Sequence, residues 1–305
     1  MIVCGSKDNG ALNYFRKLNS LSSLNLVQKD TLQGLNNCKP ELVITGAALG
    51  ENIDKELIRY AKREKITSIS VVENWTWYRK RFESSSGLIL PDFILLNDII
   101  AKEDAIKDGL PSKKLKVMGN PVLESLFLKK SEYAYLDKHK TATKKNILFI
   151  SEQLRQDFRN KNLDLLGFDE YEVVSDLLQI LKMGEKLTVK LHPAEDKNKY
   201  KYLDKDINII ENCEITHILE SADVVVGMQS MLLIELAVLR GGVISYRPNA
   251  KTNFFGERIG ATIAAESKDD LRQKMNDPYK NISNFAEAYL GSSERIENFI
   301  GQFVK

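Results

Sequence analysis

The sequence predicts an α/β protein built from two doubly wound parallel-sheet domains. Three observations carry this. Short β-branched runs alternate with longer helical patterns along the chain, the pattern restarts at Asn146 after a lysine-rich stretch, and the 305 residues suffice for two cores.

In the first half, 1–4, 42–45, 68–72 and 93–96 read as buried parallel strands, because they are continuous apolar runs too short for helices. Residues 10–18 and 53–64 have helical spacing. The run 115–121 closes this half as a last strand and turn. Residues 129–145 hold six lysines and two acids without apolar periodicity, which predicts an interdomain linker. That stretch suits either a solvated connector or a patch touching anionic lipid or glycan. The second half predicts strands at 146–150, 187–191, 207–210, 224–226, 243–246 and around Ile263. Helices are predicted at 170–181, 217–221, 230–239, 269–275 and 292–304.

The composition is that of an ordinary globular protein, 43% hydrophobic and 28% charged. A formal charge of +2 gives no case for nucleic-acid binding. Cys4, Cys38 and Cys213 are too scattered for a disulfide framework or a zinc site, and suit structural thiols in a reducing cytosol. The N-terminus lacks the basic and apolar regions of a signal peptide, and no apolar run approaches the roughly 20 residues that span a bilayer. The expected location is cytoplasmic, with any membrane contact peripheral at the inner face.

Chemistry concentrates where strands end. Leu187–Leu191 runs into His192 and Pro193, and Pro193 stops the strand. His192 suits a hydrogen bond to a phosphate oxygen, with Lys190 adding charge, or else a backbone carbonyl at a strand end. The run Val224–Val226 leads into Gly227, Gln229 and Ser230. Gly227 would let a ligand approach the backbone, and Ser230 is a good N-cap whose helix start offers free N–H groups to a phosphate. Glu235 is the one polar residue in Met231–Leu239. A buried carboxylate needs partners, and both a ribose diol and a salt bridge to Arg240 or Arg247 answer that need.

The first half offers Ser6–Ala11 and Thr45–Glu51 as loops after strands, and a denser cluster at Val71–Phe82. That cluster sets Glu73 beside Trp75, Trp77, Tyr78 and Arg79. Aromatics with interleaved cations suit sugar stacking and also suit a packed wall between domains. Glu73 is the first candidate for a general base, with Asp8 and Glu51 in reserve.

Strand, Gly, Ser at a helix start, Glu five residues later and Gly-Gly-Val-Ile-Ser together resemble the donor half of GT-B-fold glycosyltransferases and the related non-hydrolysing UDP-sugar 2-epimerases. Lys190-Leu191-His192-Pro193 is similar to the His-Pro motif of bacterial sialyltransferases, Kdo transferases and polyol-phosphate transferases. Phe149–Arg155, with Ser151 and Glu152, looks like the first loop of such donor domains. Gly291–Ile296 resembles the superfamily's terminal helix, which crosses back onto the first domain.

The resemblance implies two Rossmann-like domains facing a crevice: an acceptor domain over 1–128, a linker over 129–145, a nucleotide-donor domain over 146–290 and a returning helix over 291–305. It implies a metal-independent transferase with no cofactor, moving a CMP-linked sugar such as sialic acid or Kdo to a glycan or lipid-linked glycan acceptor. The donor nucleotide would be held by Ser151, Glu152, Lys190, His192, Pro193, Gly227, Gln229, Ser230 and Glu235. Trp75, Tyr78 and Arg79 would face the sugar or acceptor. The alternatives are a UDP-N-acetylglucosamine 2-epimerase-like enzyme and a nucleotide-binding, non-catalytic partner subunit.

Overall fold

The computed structural model describes residues 40–133, 145–158, 166–203, 207–211, 215–277 and 284–304, together with the backbone of 2–4 and 25–27. The chain forms two compact units. One comprises Met1–Asn120 with Gly291–Lys305, the other Pro121–Leu290.

In the first unit, β1 (Ile2–Cys4) pairs in parallel with β2 (Asn25–Val27). The main sheet has four parallel strands in the order β3 (Leu42–Thr45), β4 (Thr67–Val72), β7 (Phe93–Leu96), β8 (Leu115–Val117). Between β4 and β7 lies a small antiparallel hairpin, β5 (Glu83–Ser84) with β6 (Gly87–Leu88). Helix α1 (Ile53–Glu64) shows why this sequence is helical. Asn52 caps the Lys55 N–H, Asp54 and Glu56 face the positive helix start, and Lys62 and Arg63 face its negative end. Lys65, with φ of 58°, ends it in the left-handed conformation.

Helix α2 (Ile99–Lys107) follows β7 and is capped by Asp98, whose carboxylate accepts the Ala101 N–H at 2.7 Å.

The second unit opens on helix α3 (Pro121–Tyr133). Pro121 sits at the first helical position, where its missing N–H costs no hydrogen bond. Helix α3 packs against the helix Met231–Arg240 within this unit. The expected linker therefore begins inside a packed helix, and residues 134–144 lie outside the described residues.

Six parallel strands form the sheet of this unit: β9 (Asn146–Ile150), β10 (Lys186–Lys190), β11 (Ile207–Ile210), β12 (Val224–Gly227), β13 (Val243–Tyr246) and β14 (Ile263–Ala265). Their order is β11-β10-β9-β12-β13-β14, so chain direction across the sheet reverses between β9 and β12. Asp169 caps helix α4 (Glu170–Ile180) through the Tyr171 and Glu172 N–H groups. Ser230 caps α5 (Met231–Arg240), and Ser267 caps α6 (Lys268–Asn276). One core joins Phe149, Val189 and Val226 of the sheet to Val174 and Leu177 of α4 and Leu271 of α6. Each such fully buried side chain contributes roughly 1.5–3 kcal/mol relative to exposure.

The closing helix α7 (Ser292–Ile300) belongs to the first unit. Phe299 and Phe303 pack edge-on and tilted against Phe93 of β7, with ring centroids 5.3 and 5.4 Å away. Arg295 Nε donates to Met118 O at 3.0 Å.

Candidate functional site

In an open α/β sheet the crevice for a ligand opens at the carboxyl ends of the strands where the strand order reverses. Here that point lies between β9 and β12, where Ile150 is in register with Gly227. Beyond them the chain runs into Ser151-Glu152 on one side and Met228-Gln229-Ser230 on the other. The Ser245 hydroxyl of β13 donates to Met228 O at 2.7 Å and pins the second loop.

Ser230 Oγ accepts the Leu232 N–H at 3.2 Å, so the hydroxyl caps α5 and keeps its own proton to donate. The Gln229 N–H donates to Glu152 Oε1 at 2.8 Å. An acidic side chain thus already stands where the sequence suggested a ligand anion. Gly227 serves the packing of this strand. A Cβ there would lie 2.6 Å from Leu233 Cδ2, so the glycine lets α5 lie close against its own strand.

Behind Glu152 lies a buried ionic network. Ser151 Oγ donates to Glu195 Oε1 at 2.9 Å and shares a 2.7 Å hydrogen bond with the Tyr200 hydroxyl. Glu195 Oε2 accepts the His192 N–H at 2.6 Å. Lys199 Nζ bridges Glu195 and Glu170, the latter at 2.7 Å, and also donates to Glu152 O at 3.2 Å. Burial pushes the Glu152 carboxyl up to about 7, opposed by the Gln229 N–H and reinforced by the negative Glu195 and Glu170. Burial likewise pushes the Tyr200 phenol well above its ordinary range.

His192 and Pro193 are exposed. His192 Nδ1 accepts the Ala194 N–H at 3.2 Å, which leaves Nε2 as the ring's donor. Lys190 is buried, and its ammonium donates to Leu191 O at 2.6 Å rather than standing open at the strand end.

Glu235 is half-buried, and among the described residues no hydrogen bond or ion pair reaches its carboxylate. Burial alone raises its pKa. The two arginines that could have paired with it are engaged elsewhere. Arg240 donates to Ala222 O and Asp223 O, and Arg247 pairs with Glu257 at 2.7 Å. At the carboxyl ends of β13 and β14 a polar pocket of about 280 Å³ is lined by Arg247, Asn249, Thr252, Asn253, Glu257 and Glu266.

The first unit presents less. Glu73 is exposed at the end of β4, and its carbonyl accepts the Asn97 Nδ2 proton at 2.9 Å. Glu51 is exposed and pairs loosely with Arg59 at 3.4 Å. Asp8 lies outside the described residues. The expected sugar-facing aromatics are core instead: Trp75 is 3% and Tyr78 1% exposed, and the Trp75 indole donates to Asp98 Oδ2 at 2.6 Å. Arg79 forms a surface pair with Glu83. Trp77 is the exposed aromatic of this cluster, with the Lys80 ammonium 5.2 Å from its ring centroid.

Sequence reasoning missed Glu170, Glu195, Lys199 and Tyr200. The usable signal was Glu195 and Lys199 four residues apart, directly after the His192-Pro193 stop. Among the described residues no cluster of His, Cys, Asp or Glu could hold a metal ion, and no helix is long and apolar enough to cross a membrane.

No family model matches the chain, and no curated protein matches it in sequence. Solved structures do resemble it. The UDP-GlcNAc 2-epimerase of Methanocaldococcus jannaschii matches with a TM-score of 0.63 at 17% identity, covering 99% of this chain and 91% of that one. The S. aureus MnaA–UDP complex matches with a TM-score of 0.62 at 14% identity, covering 99% and 95%. Anabaena HepE in complex with UDP-glucose matches with a TM-score of 0.57 at 10% identity, covering 99% and 90%.

These likenesses establish a GT-B-like α/β fold of parallel-sheet, Rossmann-like domains. They overturn the expectation of a transferase using CMP-linked sialic acid or Kdo, since the similar structures include several UDP-GlcNAc 2-epimerases. The His-Pro motif misled for a physical reason. Its ring nitrogen and backbone N–H serve the local turn through Ala194 and Glu195, a job that any strand-ending turn can demand.

Proposed function

We propose that the protein is an enzyme that binds a UDP-sugar through its second unit and interconverts the sugar's C2 epimers, in the manner of a non-hydrolysing UDP-GlcNAc 2-epimerase. The observation that carries this reading is Glu235. A half-buried carboxylate without a partner among the described residues, five residues beyond a helix N-cap, is a standing demand for two donors, and a ribose 2′,3′-diol supplies both. Ser230 and the His192 Nε2 proton are proposed to donate to the phosphates, where negative charge sits throughout the reaction. The polar pocket beside Arg247 is proposed to take the base, whose imide edge suits amide side chains such as Asn249 and Asn253. The neighbours' complexes with UDP, UDP-GlcNAc and UDP-glucose support this choice of nucleotide.

Epimerisation breaks the C2–H bond as UDP leaves C1, the electron pair forming a C1–C2 double bond, and a proton then returns to the opposite face of C2 as UDP re-adds at C1, with no net oxidation and no acceptor. A base takes the proton and an acid returns one. Incubating the protein with UDP-GlcNAc in D2O tests the reading by NMR. The expected result is deuterium at C2 together with the C2 epimer. Binding without exchange identifies a nucleotide-binding, non-catalytic protein, and release of UDP with free sugar identifies a hydrolase; either contradicts the proposal.

A further inference from the structure

Glu152 occupies an unusual position for a carboxylate. Its Oε1 takes the Gln229 N–H at 2.8 Å, directly before the N-cap of α5 and at the point where the strand order reverses. That N–H is one of the backbone donors that a bound phosphate would use. A phosphate and an ionised Glu152 cannot share it, because both are anions and the N–H has one proton.

The surroundings make ionised Glu152 costly. Glu195, from the turn after β10, and Glu170, at the start of α4, both stand behind it, and they share the single ammonium of Lys199. The Arg155 guanidinium is paired with Asp169, and the Tyr200 phenol is neutral. At the start of α5 the backbone N–H groups of Gln229 and Ser230 face it. With Glu152 ionised, three carboxylates meet one cation; with Glu152 protonated, two do.

Resting on the reading of the second unit as a UDP-sugar site, we propose that Glu152 is the proton-linked gate of its phosphate subsite. In the free protein its carboxylate holds the Gln229 N–H. Uptake of one proton weakens it as an acceptor, releases the N–H to a phosphate oxygen, and gives the acid an O–H of its own to donate to the diphosphate. No covalent bond changes. The burial and neighbouring charges that lift this carboxyl to about 7 place the exchange in the physiological range.

The test is isothermal titration calorimetry of the full chain with UDP-GlcNAc between pH 6 and 8.5, in buffers of different ionisation enthalpy, which counts protons bound. The diphosphate diester has no titrating proton in this range, so any uptake belongs to the protein. The expected result is uptake approaching one proton at pH 8, with affinity about tenfold weaker at pH 8 than at pH 6. Glu152→Gln should bind without uptake and with the same affinity at both pH values, whereas His192→Gln should bind more weakly and retain the uptake per ligand bound. Uptake that persists in Glu152→Gln, or that vanishes in ligand-saturated His192→Gln, overturns the assignment. So does pH-independent binding by the native chain. Absence of binding by every form at every pH removes the UDP-sugar site itself, and the gate with it.

Discussion

Arg240 lies five residues beyond Glu235 on the same helix, yet its guanidinium donates to Ala222 O and Asp223 O and makes no pair with that carboxylate. A lone carboxylate in a largely apolar helix lowers the stability of the free protein. Because burial raises its folded pKa above the unfolded value, the native state holds its proton longer. Stability therefore falls as pH rises through the carboxylate range into neutrality. Glu235→Gln should be more stable than the native chain at pH 8 and no different at pH 4, by urea denaturation. An equal difference at both pH values would show that the carboxyl titrates alike in the folded and unfolded chain.

Lys199 neutralises two buried carboxylates at once. Lys199→Met leaves Glu170 and Glu195, whose side chains are 2% and 1% exposed, without their cation. Stranding buried charge in this way costs about 3–5 kcal/mol. The expected readout is a large drop in the urea midpoint that Glu195→Gln in the same chain partly restores. A loss below about 1 kcal/mol would mean that water already solvates the network.

Gly119 allows α7 to dock on the end of β8. Its φ is +95°, and a Cβ would fall 2.0 Å from Ser292 Oγ and 2.7 Å from Arg295 Nη2. Gly119→Ala should cost at least about 1–3 kcal/mol in backbone strain. It should also speed hydrogen exchange across 292–300 while leaving β9 and β12 protected. Unchanged exchange in α7 would show that the docking does not depend on this glycine.

The strands were legible because each is a short continuous apolar run. Residues 42–45, 93–96, 146–150, 207–210 and 243–246 are strands with the bounds that hydrophobicity predicts. Helix α2 was missed because Lys102, Glu103 and Asp104 interrupt its apolar spacing. Helix α3 was missed because Pro121 read as a stop when it serves as a first helical residue. Glu235 and Ser230 were visible because each breaks a local pattern, one as a charge among apolar residues and the other as a cap before them. The Glu152–Glu195–Lys199–Glu170 network was not, because its members come from separate segments and only tertiary folding brings them together. Trp75 and Tyr78 show the opposite error: the sequence gives their chemistry but not which way the backbone turns them, and both turn inward.

The central claim is that Glu235 reads the ribose of a uridine nucleotide, and comparing UDP with 2′-deoxy-UDP tests it most directly. Dissociation constants are measured for the native chain and for Glu235→Leu. Hydrogen bonds to a charged group contribute about 1.5–3 kcal/mol. The native protein should therefore prefer UDP by at least about tenfold, and Glu235→Leu should bind both nucleotides equally. An unchanged preference in the variant, or none in the native chain, would contradict the account.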